Sequence, residues 1–211
     1  FDLNKDRYFS VTIHPEDGKN IEMSKQFIGF YNKSYPELLN VHKTNTKSKS
    51  QKLKSISDGD ITKIKTISLF KKDISKSSKY ADLITADGGF DWDDENYQEQ
   101  EAYKLVLGEI IAALRTQNKG GHFVLKLFET FTISSLKMIY ILKSFYGESY
   151  ICKPLFSRES NSEKYIVCKN FKFDQKSDKK VLDSKISKLE YILENIPDDL
   201  YLQDIFPDMD L

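Results

Sequence analysis

Three charged side chains stand where the surrounding residues read as core. In "YADLITADGGFDW", Tyr80 to Trp92, an apolar run ends on Asp87 followed by two glycines. In "GGHFVLKLFET", Gly120 to Thr130, Lys126 interrupts an apolar strand-like run, and in "SNSEKYIVC" Glu163 opens another. An ammonium is costly to bury without a partner, so Lys126 asks for a carboxylate. A lysine held by carboxylates can hold or remove the proton of a hydroxyl. Free lysine, with a pKa of about 10.4, is a poor base at neutral pH. Desolvation or a second cation must lower it, whereas carboxylates orient it but raise it. The set is therefore one positive charge short. Each residue also has an ordinary reading: a turn cap for Asp87, a structural ion pair for Lys126, a strand-edge acid for Glu163.

The elements that must position these groups follow from periodicity. "RYFSVTI", Arg7 to Ile13, reads as a buried strand. "SKQFIGFYNKSYPELL" follows with apolar or aromatic residues at Phe27, Ile28, Tyr31 and Tyr35 and reads as helical; "DGDITKIKTISLF" gives a turn and then a helix or a strand. "ADLITAD", Ala81 to Asp87, is a strand. In "EAYKLVLGEIIAALRTQN", Tyr103, Val106, Leu107, Ile110, Ile111 and Leu114 share one helix face, which Asn118 and Gly120–Gly121 are expected to stop. "HFVLKLF" is a strand. "TISSLKMIYILKSFYG" is a second helix, with Ile133, Leu136, Ile139, Tyr140 and Phe145 inward and Gly147 as its stop. "SYICKP" and "EKYIVCKNFKF" are the last two strands, and the short link between them predicts an antiparallel pair.

This order predicts an α/β, doubly wound, mostly parallel sheet with an antiparallel last strand. Ligands of such sheets lie beyond the carboxyl ends of the strands. Asp87 and Lys126 lie towards such ends, and an antiparallel last strand starts Glu163 at the same edge. We expect one domain over residues 1–173, and a C-terminal helix with an acidic tail over 174–211. Leu182, Ile186, Leu189, Leu193 and Ile196 mark that helix; Asp198, Asp199, Asp204, Asp208 and Asp210 follow it, with no base beyond Lys188. The tail either packs on the domain or docks a protein partner.

The 211 residues carry 32 basic and 32 acidic side chains, so no global charge draws the chain to nucleic acid, and any such site must be a local patch. The segment from Lys43 to Lys54 holds five lysines and no acid. It reads either as a solvated loop or as one that steers phosphates. Cys152 and Cys168 are expected to be buried reduced thiols, and His14, His42 and His122 show no zinc spacing, so no metal is expected. No apolar run has the length of a membrane-spanning helix, and a cytoplasmic location is expected.

In combination, "ADGGFDW", "GGHFVLKLFE" and "KPLFSRESNSEKYIVCKNF" resemble the FtsJ/RrmJ-type RNA ribose 2′-O-methyltransferases, most closely the cap-specific mRNA branch, which includes viral members. The resemblance runs from about Tyr8 to Lys172. It implies a Rossmann-like methyltransferase fold, S-adenosylmethionine as cofactor and capped mRNA as partner. Asp87, Lys126 and Glu163 match the last three members of the family's Lys-Asp-Lys-Glu tetrad, with Lys126 as base on the ribose 2′-hydroxyl. Asp60 and Ile61, with Asp87, match cofactor contacts. Asn96, Tyr97, Gln98 and Asn161 match RNA contacts, and Arg158 a phosphate or structural partner. The family's first Lys and its Gly-rich cofactor loop belong before "YFSVTI"; the chain as read from Phe1 shows neither, and the expectation is either a processed or trimmed piece or a sequence whose upstream residues are absent. A non-catalytic RNA-binding or scaffolding domain of the same fold, and an enzyme acting on ribosomal or transfer RNA, are the competing expectations.

Overall fold

The computed structural model describes residues 6–13, 25–35, 38–42, 58–76, 79–89, 93–157 and 161–209. The Lys43–Lys54 segment, Trp92 and Arg158 lie outside them, as do the side chains of Phe27 and Ile28. A short parallel pair, β1 (Tyr8–Ser10) and β2 (Leu39–Val41), stands with helix α1 (Lys25–Ser34) between its strands in sequence. Helix α2 (Ile64–Ser75) resolves the helix-or-strand question for the residues after "DGDIT". The main sheet contains β3 (Ala81–Ala86), β4 (Gln117–Leu127), β5 (Tyr146–Cys152) and β6 (Lys164–Phe171), in the order β3-β4-β6-β5. β3 runs parallel to β4, and β6 is antiparallel to both of its neighbours. This is the mostly parallel sheet with an antiparallel last strand that the short β5–β6 link predicted.

One face of the sheet carries the core. Phe123, Leu125 and Leu127 alternate along β4, and Ile166 and Cys168 along β6; all five are buried in one cluster with helices α4 (Tyr103–Thr116), α5 (Ile133–Phe145) and α6 (Lys179–Asn195). The alternate residues of β4, His122, Val124 and Lys126, face the other way and are half-buried or exposed. The α4 face read from periodicity is correct: Tyr103, Val106, Leu107, Ile110, Ile111 and Leu114 are all buried.

Local expectations need correcting at several points. The first strand spans only Tyr8–Ser10, with Tyr8 and Ile13 each 40% exposed, so it is not a buried strand from Arg7 to Ile13. Helix α5 (Ile133–Phe145) ends before Gly147, because Tyr146 is already extended (φ −112°, ψ 155°). Helix α4 ends at Thr116, before Asn118 and the glycine pair, because Gln117 is already extended (φ −75°, ψ 137°). Gln117 is fully buried: its Nε2 donates to Ala81 O (2.8 Å), and its Oε1 accepts from the Tyr146 hydroxyl (3.0 Å). Asn118 to Gly121 then form an irregular start of β4, where the pairing jumps from Ala81↔Gln117 to Leu83↔His122. Helix α5 buries Met138, Ile141, Leu142 and Phe145, while Leu136 and Tyr140 are 44% and 48% exposed. Its true face was hidden by Lys137, which is buried because Asp204 (2.8 Å) and the Phe206 carbonyl (2.7 Å) accept from its ammonium. Cys168 is buried as expected, but Cys152 is exposed because β5 is an edge strand.

The residues after Phe173 share the core. Leu182, Ile186, Leu189 and Leu193 of α6, and Ile205 and Phe206 beyond it, belong to the same cluster as the sheet. Arg115 at the end of α4 fastens α6. Its Nε and Nη2 donate to the two oxygens of Glu190 (2.9 and 2.8 Å), and its Nη1 to Asp183. The guanidinium side chain is 11% exposed, so removing it leaves Glu190 half-buried and unpaired. We expect Arg115→Ala to lower unfolding free energy by about 3 kcal/mol, read as a lower urea midpoint with an unchanged slope.

Candidate active site

The strand register brings the three charged residues to one edge and one face. Ala86 pairs with Leu125, so Asp87 lies level with Lys126, and Lys126 pairs with Tyr165 of β6. Glu163 stands two residues before Tyr165 and is therefore a diagonal neighbour of Lys126. Such neighbours lie about 7–8 Å apart at Cα, within reach of long side chains. Lys126 Nζ forms an ion pair with Asp87 Oδ1; the lysine side chain is 17% exposed and the aspartate 63%. The ammonium also lies 5.3 Å from the centroid of the Phe128 ring, a favourable cation–π placement. Lys126 is thus half-buried at its stem and directed at the open edge, where Asp87 is reachable from solvent.

Glu163 is held by other groups. Its Oε1 accepts from the Tyr165 hydroxyl, and its Oε2 from Asn161 Nδ2 (3.2 Å). That hydrogen bond, followed by desolvation and the charges of Asp87 and Glu163, pushes the Tyr165 phenol up to about 12. Tyr165 therefore stays a neutral donor to Glu163, standing beside Lys126 in the register. Lys153 fixes the strand entry by donating to the Asn161 side chain, to its carbonyl (2.8 Å) and to the Glu163 carbonyl (2.9 Å). A groove of about 360 Å³ opens here, lined by Pro154, Phe156, Ser157, Asn161, Glu163 and Tyr165.

The remaining expected RNA contacts in the described residues stand beside this edge, on a 3-10 turn (Glu95–Tyr97) and at the start of the short helix α3 (Gln98–Glu101). Asn96 donates through its backbone and side-chain nitrogens to Asp94 Oδ1 (2.9 and 2.8 Å) and so shapes the turn. Tyr97 meets Tyr201 of the C-terminal segment edge-on, with centroids 5.5 Å apart. Gln98 Oε1 accepts from Ser162 Oγ (3.4 Å), which ties the turn to the residue before Glu163.

The expected cofactor segment is positioned by helix α4. A Cβ on Gly108 would fall 2.4 Å from the Ile61 carbonyl oxygen, so only glycine admits the Asp58–Thr62 loop there. Asp60 Oδ1 accepts from the backbone and hydroxyl of Thr62 (3.0 and 2.6 Å), and its Oδ2 lies 3.2 Å from Lys63 Nζ. The next residue along α4, Glu109, receives the turn after β3: its Oε1 accepts from Gly88 N at 2.8 Å. Consecutive residues of one helix, about 3.8 Å apart at Cα, thus receive the Asp58–Thr62 loop and the turn after β3. Asp60 and Asp87 are set by neighbouring positions of α4, one segment through a glycine and the other through a side-chain hydrogen bond.

Sequence reasoning missed Glu109, Tyr165 and Lys153. A signal existed for Glu109, the lone acid of the apolar run "LVLGEIIAAL". Its residue is 9% exposed. Desolvation pushes its carboxyl up to about 7, against the lowering by the Gly88 amide and Lys126. The folded state thus favours the protonated form. Its contribution to stability is full below the ordinary glutamate value of 4.5 and declines as pH rises to about 7. The decline amounts to about 3 kcal/mol at roughly 1.4 kcal/mol per pH unit. We therefore expect Glu109→Gln to gain stability relative to the unsubstituted chain between pH 5 and 8, measured by urea unfolding. We also expect Gly108→Ala to lose roughly 1–3 kcal/mol by overpacking. Gly89→Ala, whose Cβ meets nothing within 4 Å, should stay within about 0.5 kcal/mol.

Comparison with known proteins gives the family. The family model described as FtsJ-like methyltransferase matches residues 38–171. Among curated relatives, "Cap-specific mRNA (nucleoside-2'-O-)-methyltransferase 1" of Danio rerio is 40% identical over 118 residues, 54% of this chain and 14% of that protein. The Homo sapiens protein of the same name is 38% identical over 118 residues, with the same coverage. The one from Leishmania braziliensis is 40% identical over 115 residues, 54% of this chain and 28% of that protein. The matched stretch is thus a minor part of each relative. With the family model covering more than half of its residues, the chain belongs to the FtsJ-like methyltransferase family.

Proposed function

We propose that this chain transfers a methyl group from S-adenosylmethionine to the ribose 2′-hydroxyl of cap-proximal nucleotides in mRNA. The observation that carries the reading is the Asp87–Lys126 ion pair at the carboxyl edge of the sheet, with Glu163 diagonal to the lysine. Family membership and the names of the relatives support it.

Asp60, Ile61 and Asp87 are the residues that would hold the cofactor, and two glycines of this chain set where they stand. Gly108 and Gly88 let the Asp58–Thr62 loop and the post-β3 turn approach α4, which sets Asp60, Ile61 and Asp87 to hold it. When bound, S-adenosylmethionine supplies a methyl group on positively charged sulfur, open to in-line displacement. Lys126, in its neutral form, would polarise the 2′-hydroxyl and take its proton as that oxygen displaces the methyl group, the sulfur leaving with the electron pair of the broken carbon–sulfur bond. Asp87 orients the lysine by direct pairing. Glu163, held by Tyr165 and Asn161, supplies the second negative group on the far side. The groove beside Glu163 is large enough for a nucleotide. Asn96, Tyr97, Gln98 and Asn161 border that edge and are the residues we assign to the RNA. Alignment of the two reactants supplies most of the acceleration, up to about 7–11 kcal/mol. A deoxyribose offers no nucleophile, so the chemistry itself selects RNA.

Substitution of Lys126 tests the reading, with the 2′-O-methylated nucleosides measured by mass spectrometry. Lys126→Ala should reduce methyl transfer to capped RNA roughly 10²–10⁴-fold. Lys126→Arg should not restore it, because a guanidinium stays protonated. Full activity of either variant removes Lys126 from the mechanism. Equal rates on capped and uncapped RNA of one sequence would remove the cap from the substrate assignment.

A further inference from the structure

We propose that Glu109 is a positioning residue for this reaction, holding the Asp87 turn through the Gly88 amide and placing an ionisable group behind the Asp87–Lys126 pair. The inference rests on the methyltransferase reading above.

Geometry is the first argument. Glu109 Oε1 accepts from Gly88 N at 2.8 Å, one residue beyond Asp87. A Cβ on Gly88 would fall 2.7 Å from that oxygen and 2.9 Å from Leu105 Cδ1. The turn therefore sits directly on the carboxylate, and the position of Asp87 is fixed by it. The second argument is chemical. A glutamine would offer the same carbonyl oxygen to the amide without placing an ionisable group in the core. What only the carboxylate adds is charge. Among the described residues, the charges that act on it are those of Lys126, whose side chain leaves β4 on the face away from the core, and of Asp87, in the turn after β3. The Asp58–Thr62 loop presents the Ile61 backbone to the neighbouring Gly108. An ionised Glu109 adds negative potential behind Lys126 and holds the proton on the lysine. A neutral Glu109 eases its release. Burial brings the carboxyl up to about 7, so both forms are accessible near neutral pH.

The test uses the full chain with Glu109→Gln and Glu109→Leu. Glu109→Gln keeps the acceptor and removes the charge. Its kcat against pH should keep the plateau of the unsubstituted protein, with the rising limb displaced to lower pH by roughly half a unit or more. Glu109→Leu loses the acceptor, and its plateau kcat should fall about 10- to 100-fold with KM for capped RNA within about twofold. Superimposable profiles for all three proteins would overturn the proposal, as would an equal loss in Glu109→Gln and Glu109→Leu. A readout without activity separates this from the function itself. The Gly88 amide resonance should titrate with a midpoint near pH 7 in the unsubstituted protein and show no such step in Glu109→Gln. No step in either protein sinks the inference. A normal step in a chain that methylates no RNA sinks the functional reading alone.

Discussion

A lysine on a strand that is otherwise core must find a counter-charge, and that requirement organises the site. The Lys126 side chain is 17% exposed, on the face of β4 away from the core, where Val124 is half-buried and His122 exposed. The ammonium is therefore stable only if a carboxylate meets it at the carboxyl edge of the sheet. Asp87 does so because β3 and β4 are parallel and end level. Glu163 reaches the same edge because β6 runs the other way, so that its beginning meets their ends. The antiparallel last strand thus has a chemical consequence: it supplies a carboxylate from a strand start to a cluster built at strand ends.

Helix α4 acts as the ruler of this edge. Its apolar face packs on the sheet, which fixes its height relative to the strands. Gly108 and Glu109 then set where two loops must sit, one by having no side chain and the other by offering an acceptor. Neither contact is strong by itself. Together they convert the rigidity of a buried helix into the placement of Asp60, Ile61 and Asp87. Residues that touch no reacting atom thereby set the geometry of those that do.

The C-terminal segment continues that scaffold. Arg115 fastens α6 to α4, and Lys104 and Lys137 pair with Asp198 and Asp204 (2.5 and 2.8 Å). Ser134 N and the Tyr103 hydroxyl donate to the carbonyls of Gln203 and Leu202 (3.0 and 3.2 Å). Tyr201 stands against Tyr97. The acids that looked available for a partner are, in part, spent on lysines of the same chain. A path of contacts therefore runs from the C-terminal segment through Tyr97 and Gln98 to Ser162, beside Glu163.

Much of this was legible in the residues. Strands β3 to β6, the buried face of α4 and the edge shared by Asp87, Lys126 and Glu163 follow from periodicity and loop length, because local sequence dictates both. The end of α4 and the inner face of α5 did not follow. In each case a buried polar side chain, Gln117 or Lys137, is satisfied by a group 29 to 69 residues away, which no local pattern records. Glu109 escaped for the same reason, since its partner is an amide 21 residues earlier. The sequence by itself determined which residue types could do the chemistry and which strand ends carry them. Only the tertiary structure decided what holds each one: Asp87 pairs with Lys126, Tyr165 and Asn161 take Glu163, and Glu109 stands behind the pair. Hydrogen-bond and ion-pair partners are chosen by distance in space, and that distance exists only once the sheet and α4 have packed.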